Sequence, residues 1–381
     1  MIEKKRLISL DAFRGLTIAF MLLVNNAGDW DHVYRQLEHA GWNGCTAADM
    51  VFPFFVFIMG VAMPLGIIPQ LERGISIGQL GRNILRRTAI LFGLGVILST
   101  VAFWSYMDHF RLMGVLQRLA LTYLFLAIII LLNNRSLEAA LFWVILILYA
   151  GALFLYASTH GDSSFALPMF YNLSDLIDTK ILGSMNYTYD KILLLGHDPE
   201  GLFSTIPSIS SGLAGVFCGR MLLEYKSAMH TFLKLILSGL GMITLGFLSQ
   251  YVIPFNKNLW TPSYVIYSTG WALFSLGIFF YLIDVKKYFK PFYPLIAYGS
   301  NAISIYFAAS IVAPLTVGIR WIDAAGESVR LKTFMYKSTY AQLISPYFGD
   351  YIPSTLWGIT YVILFFFLAD WMFRKKLFVK I

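Results

Sequence analysis

The sequence predicts an all-α, polytopic integral membrane protein with about ten transmembrane helices and both termini cytoplasmic. Three observations carry that prediction. Hydrophobic residues make up 58% of the chain and charged residues only 13%, with a mean hydropathy of +0.67, far more apolar than an ordinary soluble domain. Apolar runs long enough to cross a bilayer recur along the whole chain, and short Lys and Arg clusters alternate between them.

The first run follows MIEKKR and looks like a signal peptide. Asp11 and Arg14 interrupt it and no small-residue cleavage pattern follows, so it reads as a retained helix over about 7–27. Further spans are expected over roughly 48–69, 88–104, 112–132, 137–157, 202–222, 232–253, 263–283, 293–315 and 355–373. With the N-terminus inside, Lys and Arg favour the inner segments about two to one. Among them are Lys4, Lys5, Arg6, Arg73, Arg82, Arg86, Arg87, Lys226 and Lys380. This placement accounts for the formal charge of +8 and excludes nucleic-acid binding, which needs a basic stripe with interleaved aromatics. The chain forms one transmembrane domain over 1–381, without repeats or soluble linkers.

Three outer segments, about 28–47, 158–201 and 316–354, are long enough to build a recognition surface, whereas inner connections are short. The middle segment holds Asp162, Asp175, Asp178, Asp190, Asp198 and Glu200 against Lys180 and Lys191. Such an acidic face suits a cationic or hydroxyl-rich ligand, or is an ordinary solvated surface. Cys45 and Cys218 fall near opposite membrane faces, which excludes their pairing.

Charged groups inside a span are costly and therefore candidates for function. Asp11 and Arg14 share one helix face and can satisfy each other. Arg118 has no partner on its own helix, and Asn301 is a polar residue in the ninth span that packing or ligand binding would explain. No histidine shows zinc-type spacing, so no metal is expected, and hydrolase elbows, Walker loops and dinucleotide fingerprints are absent. His39 differs from the other histidines because Trp42, Asn43 and Asp49 surround it where the chain enters the second span. Asn25 and Asn26 end the first span on that same face.

The stretches HAGWNGCTAADMVFPFFVFIMG and RLISLDAFRGLTIAFMLLVNNAG, followed by GVLQRLALTY, DPEGLFSTIPSI and YGSNAISIYF, resemble the transmembrane heparan-α-glucosaminide N-acetyltransferase family. Some of its bacterial relatives are described as N-acetylglucosamine-related transporters. The resemblance implies acetyl-CoA as co-substrate, an amino sugar as acceptor, His39 as catalytic residue and Asn25 as its companion. Segments 158–197 and 317–354 carry no matching motif, which leaves the acceptor open.

That implication suits the chemistry of the residues. A glucosamine amine is largely protonated near neutral pH and needs a base, for which histidine is suited. Asn25 or Asn43 could donate to the developing oxyanion and Asp49 could fix the tautomer of His39. Asn26, Trp42, Asn43, Asp198 and Glu200 are the candidates for holding the sugar. Asp11, Arg14, Arg82, Arg86, Arg87, Arg118 and Asn301 are the candidates for holding acetyl-CoA, threaded from the cytosol through the helices. His39 then faces the periplasm of a bacterial inner membrane, as general base or transient acetyl carrier. A homodimer is open, and the alternatives are an amino-sugar transporter or an O-acetyltransferase of a surface polysaccharide.

Overall fold

The computed structural model describes residues 7–105, 108–160, 167–225, 227–322 and 326–379. Lys4, Lys5, Arg6, Asp162, Lys226 and Lys380 lie outside the described residues. Every expected apolar stretch is helical. The first five are α1 (Ile8–Val24), α2 (Val51–Glu72), α3 (Ile77–Ser105), α4 (Val115–Leu131) and α5 (Arg135–Thr159). After the short α6 (Leu173–Leu182) and the hairpin β1 (Thr188–Asp190) and β2 (Leu195–His197) come α7 (Thr205–Leu223), α8 (Ala228–Ser249) and α9 (Pro262–Phe279). Next are α10 (Tyr293–Ser300), α11 (Ala302–Gly318) and the hairpin β3 (Arg320–Ile322) and β4 (Ser328–Arg330). The chain closes with the short α12 (Leu331–Tyr336) and α13 (Gln342–Phe348) and the long α14 (Tyr351–Arg374).

Helix starts follow local chemistry. The side chains of Asn134 and Asn172 accept the amides of Leu137 and Asp175, opening α5 and α6, and Pro262 opens α9 where no amide donor is needed. Among the described residues seven helices are long and apolar enough to cross a membrane, and the pair α10 and α11 together qualifies as an eighth. At 17 residues each, α1 and α4 sit at the lower end of the ~17–25 needed for a crossing.

Two expectations change. α3 begins at Ile77 rather than 88, because hydropathy sees only its apolar part while Arg82, Arg86 and Arg87 extend the same helix into a polar region. The ninth span is not continuous: α10 and α11 meet at a bend of 71° centred on Asn301. Pro207 is the third residue of α7, where helices tolerate proline because the first-turn amides lack intrahelical acceptors.

α2 packs along α7, α1 along α10, α8 along α9 and α3 along α4. Glycines permit the closest of these crossings. A Cβ on Gly215 would strike the carbonyl of Phe57, and one on Gly299 the carbonyl of Asp11, so the backbones approach as small residues allow in membranes. α1 joins two apolar cores. Leu10, Ala12 and Phe13 pack with α2, α7 and α9, while Ile18, Met21, Leu22 and Val24 pack with α11 and α14.

The three long segments meet at one end of the bundle. Gly28 and Asp29 donate their amides to Ser354 at the start of α14, Gly44 donates to Phe255 before α9, and Leu112 donates to Met185. Cys45 and Cys218 are both free.

Candidate functional site

Residues 36–49 fold around one carboxylate. Asp49 enters α2 through a short 3-10 turn and is 1% exposed, so its charge must be satisfied by the protein. Its Oδ2 accepts the amides of Ala40 (3.1 Å) and Thr46 (3.0 Å) and the Thr46 hydroxyl (3.1 Å). The Oδ1 lies 2.8 Å from Nδ1 of His39. These contacts close the ten-residue gap that separates the two side chains in sequence. A carboxylate on Nδ1 places the ring proton there and leaves Nε2 with a lone pair. The His39 side chain is 46% exposed, so that lone pair is reachable.

His39, Trp42 and Asp49 line a cavity of about 520 Å³ with Asn25, Glu200, Arg111, Gln117, Lys257 and Tyr306. Asn25 forms the C-cap of α1 and also borders a second cavity of about 720 Å³, lined by Asn26, Trp30, Arg330, Lys332 and Tyr336. The sequence-level candidates Asn25, His39, Trp42, Asp49 and Glu200 are therefore brought together. Asn26 faces only the second cavity, its amide donating to the Leu22 carbonyl at 2.8 Å. Asn43 is turned to Asn256, whose amide donates to its Oδ1 at 3.2 Å, and it does not line the His39 cavity.

The middle segment does not form the acidic face that its composition suggests. Asp175, Asp178 and Asp198 are at most 1% exposed, because α6 and the β1–β2 hairpin fold them inward onto internal partners. His197 pairs with Asp175 at 2.8 Å and its ring lies 5.5 Å from that of Trp42. Asp198 is held by Arg111 at 2.6 and 2.9 Å and stays off the cavity, while Glu200 also pairs with Arg111 and reaches it. Burial opposes both charges of that pair. Asp198 and Glu200 nevertheless hold the Arg111 guanidinium above its ordinary pKa, and Arg111 and Lys257 hold the Glu200 carboxyl below its own.

The residues expected to hold acetyl-CoA are scattered, and none lines the His39 cavity. Arg14 lies 3.2 Å from Asp11 and 3.4 Å from the Gly299 carbonyl, beside the bend between α10 and α11. Arg82 and Arg86 are exposed and Arg87 stacks 4.7 Å over Tyr123, all in the half of α3 remote from His39. Arg118 is fully buried, its guanidinium 5.0 Å from the Trp260 ring and bonded to Ser204 and the Gly201 carbonyl. Asn301 accepts the Val379 amide at 3.1 Å, tying the C-terminal segment to the helix break. Among the described residues no group of three His, Cys, Asp or Glu is placed to hold a metal.

Two cavity residues escape sequence reasoning. Arg111 reads as one more outer-segment cation. Lys257 does too, yet its ammonium lies 3.2 and 3.3 Å from the two ring nitrogens of His39 and 3.7 Å from Asp49. The usable signal was local: Lys257 stands between Asn256 and Asn258 immediately before a span, the same polar-then-apolar setting as His39.

Comparison with known proteins supplies the rest. A family model described as the catalytic region of heparan-alpha-glucosaminide N-acetyltransferase matches residues 6–253. The chain is 32% identical over 357 residues to the heparan-alpha-glucosaminide N-acetyltransferase of Homo sapiens, covering 79% of this chain and 52% of that protein. It is 31% identical over 361 residues to the Mus musculus protein of the same name, covering 81% and 54%. It thus spans about half the length of the curated relatives it matches.

Proposed function

Because the chain belongs to the heparan-alpha-glucosaminide N-acetyltransferase family, we propose that it moves the acetyl group of acetyl-CoA to the amine of a glucosamine-type sugar. The observation that carries this reading is the 2.8 Å contact between Nδ1 of His39 and the buried Asp49, at the wall of a cavity that Asn25 also lines. The acceptor ammonium first gives one proton to solvent; Asp49 then orients the ring and supports its positive charge while Nε2 takes the second proton, which the amine loses as it is acylated. The amine nitrogen then bonds to the carbonyl carbon, the carbon–sulfur bond breaks, and the proton on His39 passes to the sulfur. Asn25, which lines the same cavity, donates to the carbonyl oxygen as its charge develops. In the second form of the mechanism Nε2 attacks first and carries the acetyl group.

The cavity is of the size that small-substrate sites take, ~300–1,000 Å³, and suits the acyl arm of the donor with the sugar end. In this reading the donor is cytosolic and His39 lies on the opposite face of a bacterial inner membrane, an orientation that the bias of Lys and Arg supports. One helix, α3, carries Arg82, Arg86 and Arg87 near one end and the cavity residues Gly95, Leu98 and Ser99 near the other. A donor lying along α3 has its phosphates near those arginines and its thioester near His39.

The bend at Asn301 favours a second reading, transport of an amino sugar, since broken helices are where many transporters bind cargo. Asn301 is absent from the His39 cavity, which makes this the weaker reading.

The test uses purified protein, labelled acetyl-CoA and saccharides ending in glucosamine or in a neutral hydroxyl sugar. Label should reach the amine, and His39→Ala or Asp49→Asn should lower kcat by about 10²–10⁴. Label on hydroxyls alone would make the protein an O-acetyltransferase, and no transfer with saccharide uptake intact in vesicles would make it a transporter.

A further inference from the structure

Lys257 stands on a turn that leaves its backbone little freedom. Asn256 is fully buried, its Oδ1 accepts the Leu259 amide at 2.8 Å, its own amide donates to the Thr261 hydroxyl at 3.0 Å, and the Lys257 carbonyl accepts from Trp260 at 3.2 Å. From this turn the Lys257 side chain runs to the His39 ring and is only 16% exposed. An ion pair with Asp49 does not by itself explain that position. Lys257 stays 3.7 Å from Oδ1, longer than a hydrogen bond, and is nearer to the ring of His39, which Oδ1 already holds while Oδ2 takes the amides of Ala40 and Thr46 and the Thr46 hydroxyl. At 3.2 Å from Nδ1 and 3.3 Å from Nε2 the ammonium lies over the ring, out of line with the Nε2 lone pair, which stays open to an acceptor.

In acyl transfer Nε2 is where charge moves. As the carbon–nitrogen bond forms, an electron pair passes to the carbonyl oxygen. As the carbon–sulfur bond breaks, that pair returns and the sulfur leaves with negative charge until His39 gives it the amine's proton. An ammonium 3.3 Å from Nε2 is within reach of both atoms once the acceptor nitrogen takes its place at Nε2. We propose that Lys257 is a third catalytic group of the acetyl transfer, its ammonium stabilising the negative charge that passes from the carbonyl oxygen to the departing sulfur, a role that rests on the reading above. Lys257 keeps its proton throughout, so the reaction needs no further reactant.

The experiment compares full-length wild type, Lys257→Met and Lys257→Arg with one glucosamine-ended acceptor and a series of acetyl thioesters whose thiols differ in pKa. Lys257→Met should lower kcat by about 10²–10³ while both KM values stay within about threefold, and Lys257→Arg should recover at least about tenfold of that loss. A steeper dependence on thiol pKa in Lys257→Met assigns the charge to sulfur, and an unchanged slope assigns it to oxygen. Either supports the proposal. A kcat within about threefold of wild type would overturn it, as would a lower acceptor KM at unchanged kcat, which would mark the ammonium as only a stand-in for the acceptor's own. So would a loss that Lys257→Arg leaves unrepaired and that accompanies a lower thermal midpoint. Absence of transfer by wild type itself would instead refute the acetyltransferase reading.

Discussion

Asp178 is fully buried beneath the middle outer segment, where its carboxylate accepts the Phe203 amide at 3.0 Å and the Ser174 hydroxyl at 3.4 Å. Burial pushes its pKa up to about 6, with the Phe203 amide opposing and the neighbouring Asp198 charge adding to the rise. The unfolded chain releases this proton near pH 3.9. Between those values the folded protein holds a proton that the unfolded chain has lost, so the contribution is present below about pH 4 and is lost as pH rises through about 6. Ionised Asp178 thus costs roughly 3 kcal/mol at neutral pH. Asp178→Asn keeps an acceptor and removes the titration. Thermal unfolding in detergent should show the variant gaining on wild type as pH goes from 4 to 7, and a constant difference across that range would refute the assignment. At this scale the sequence showed which residue types matter more readily than which touch. His39 stood out because a polar stretch adjoins an apolar run, and Asp49 lay close enough in sequence for a turn to join them. Lys257 is 218 positions from His39, a contact that only the packing of α9 against the start of α2 creates.

At the level of elements, hydropathy reads how far a chain stays apolar and is blind to direction. It located α2, α5, α7, α8, α9 and α14 and missed the turn at Asn301, because the residues on either side of the bend are equally apolar. The acidic middle segment misled for the converse reason: composition counts charges without saying whether α6 will fold them inward. Helix pairing leaves a clearer trace in small residues. Gly215 admits no Cβ against Phe57 and Val61, whereas Gly151 on α5 has open space around it. Gly215→Leu should push α7 from α2 and cost about 1–3 kcal/mol or more, read as a lower thermal midpoint, while Gly151→Leu should change it little. Equal midpoints in the two variants would mean that the α2–α7 contact is not close packed in the membrane.

The orientation proposed for the whole molecule in the bilayer rests on charge bias, and two exposed residues test it. In a background where Cys45 and Cys218 are replaced by alanine, Lys191→Cys in the middle outer segment should react with an impermeant maleimide on intact cells. Arg73→Cys, at the end of α2, should react only in inverted vesicles. The reverse pattern would place His39 in the cytosol and remove the reason for a donor to cross the membrane. The site also has an order of manufacture. The segment bearing His39 emerges early, but Lys257 arrives only with the turn before α9, and the backbone at Gly28 and Asp29 is tied down by Ser354 at the start of the last helix. A ribosome that has inserted the first four helices has released His39 with its aspartate and the part of the wall that α3 and α4 supply. The wall around His39 is completed by Lys257 and by Tyr306, Ser310 and Pro314 of α11, so residues that meet in one cavity are made far apart in time.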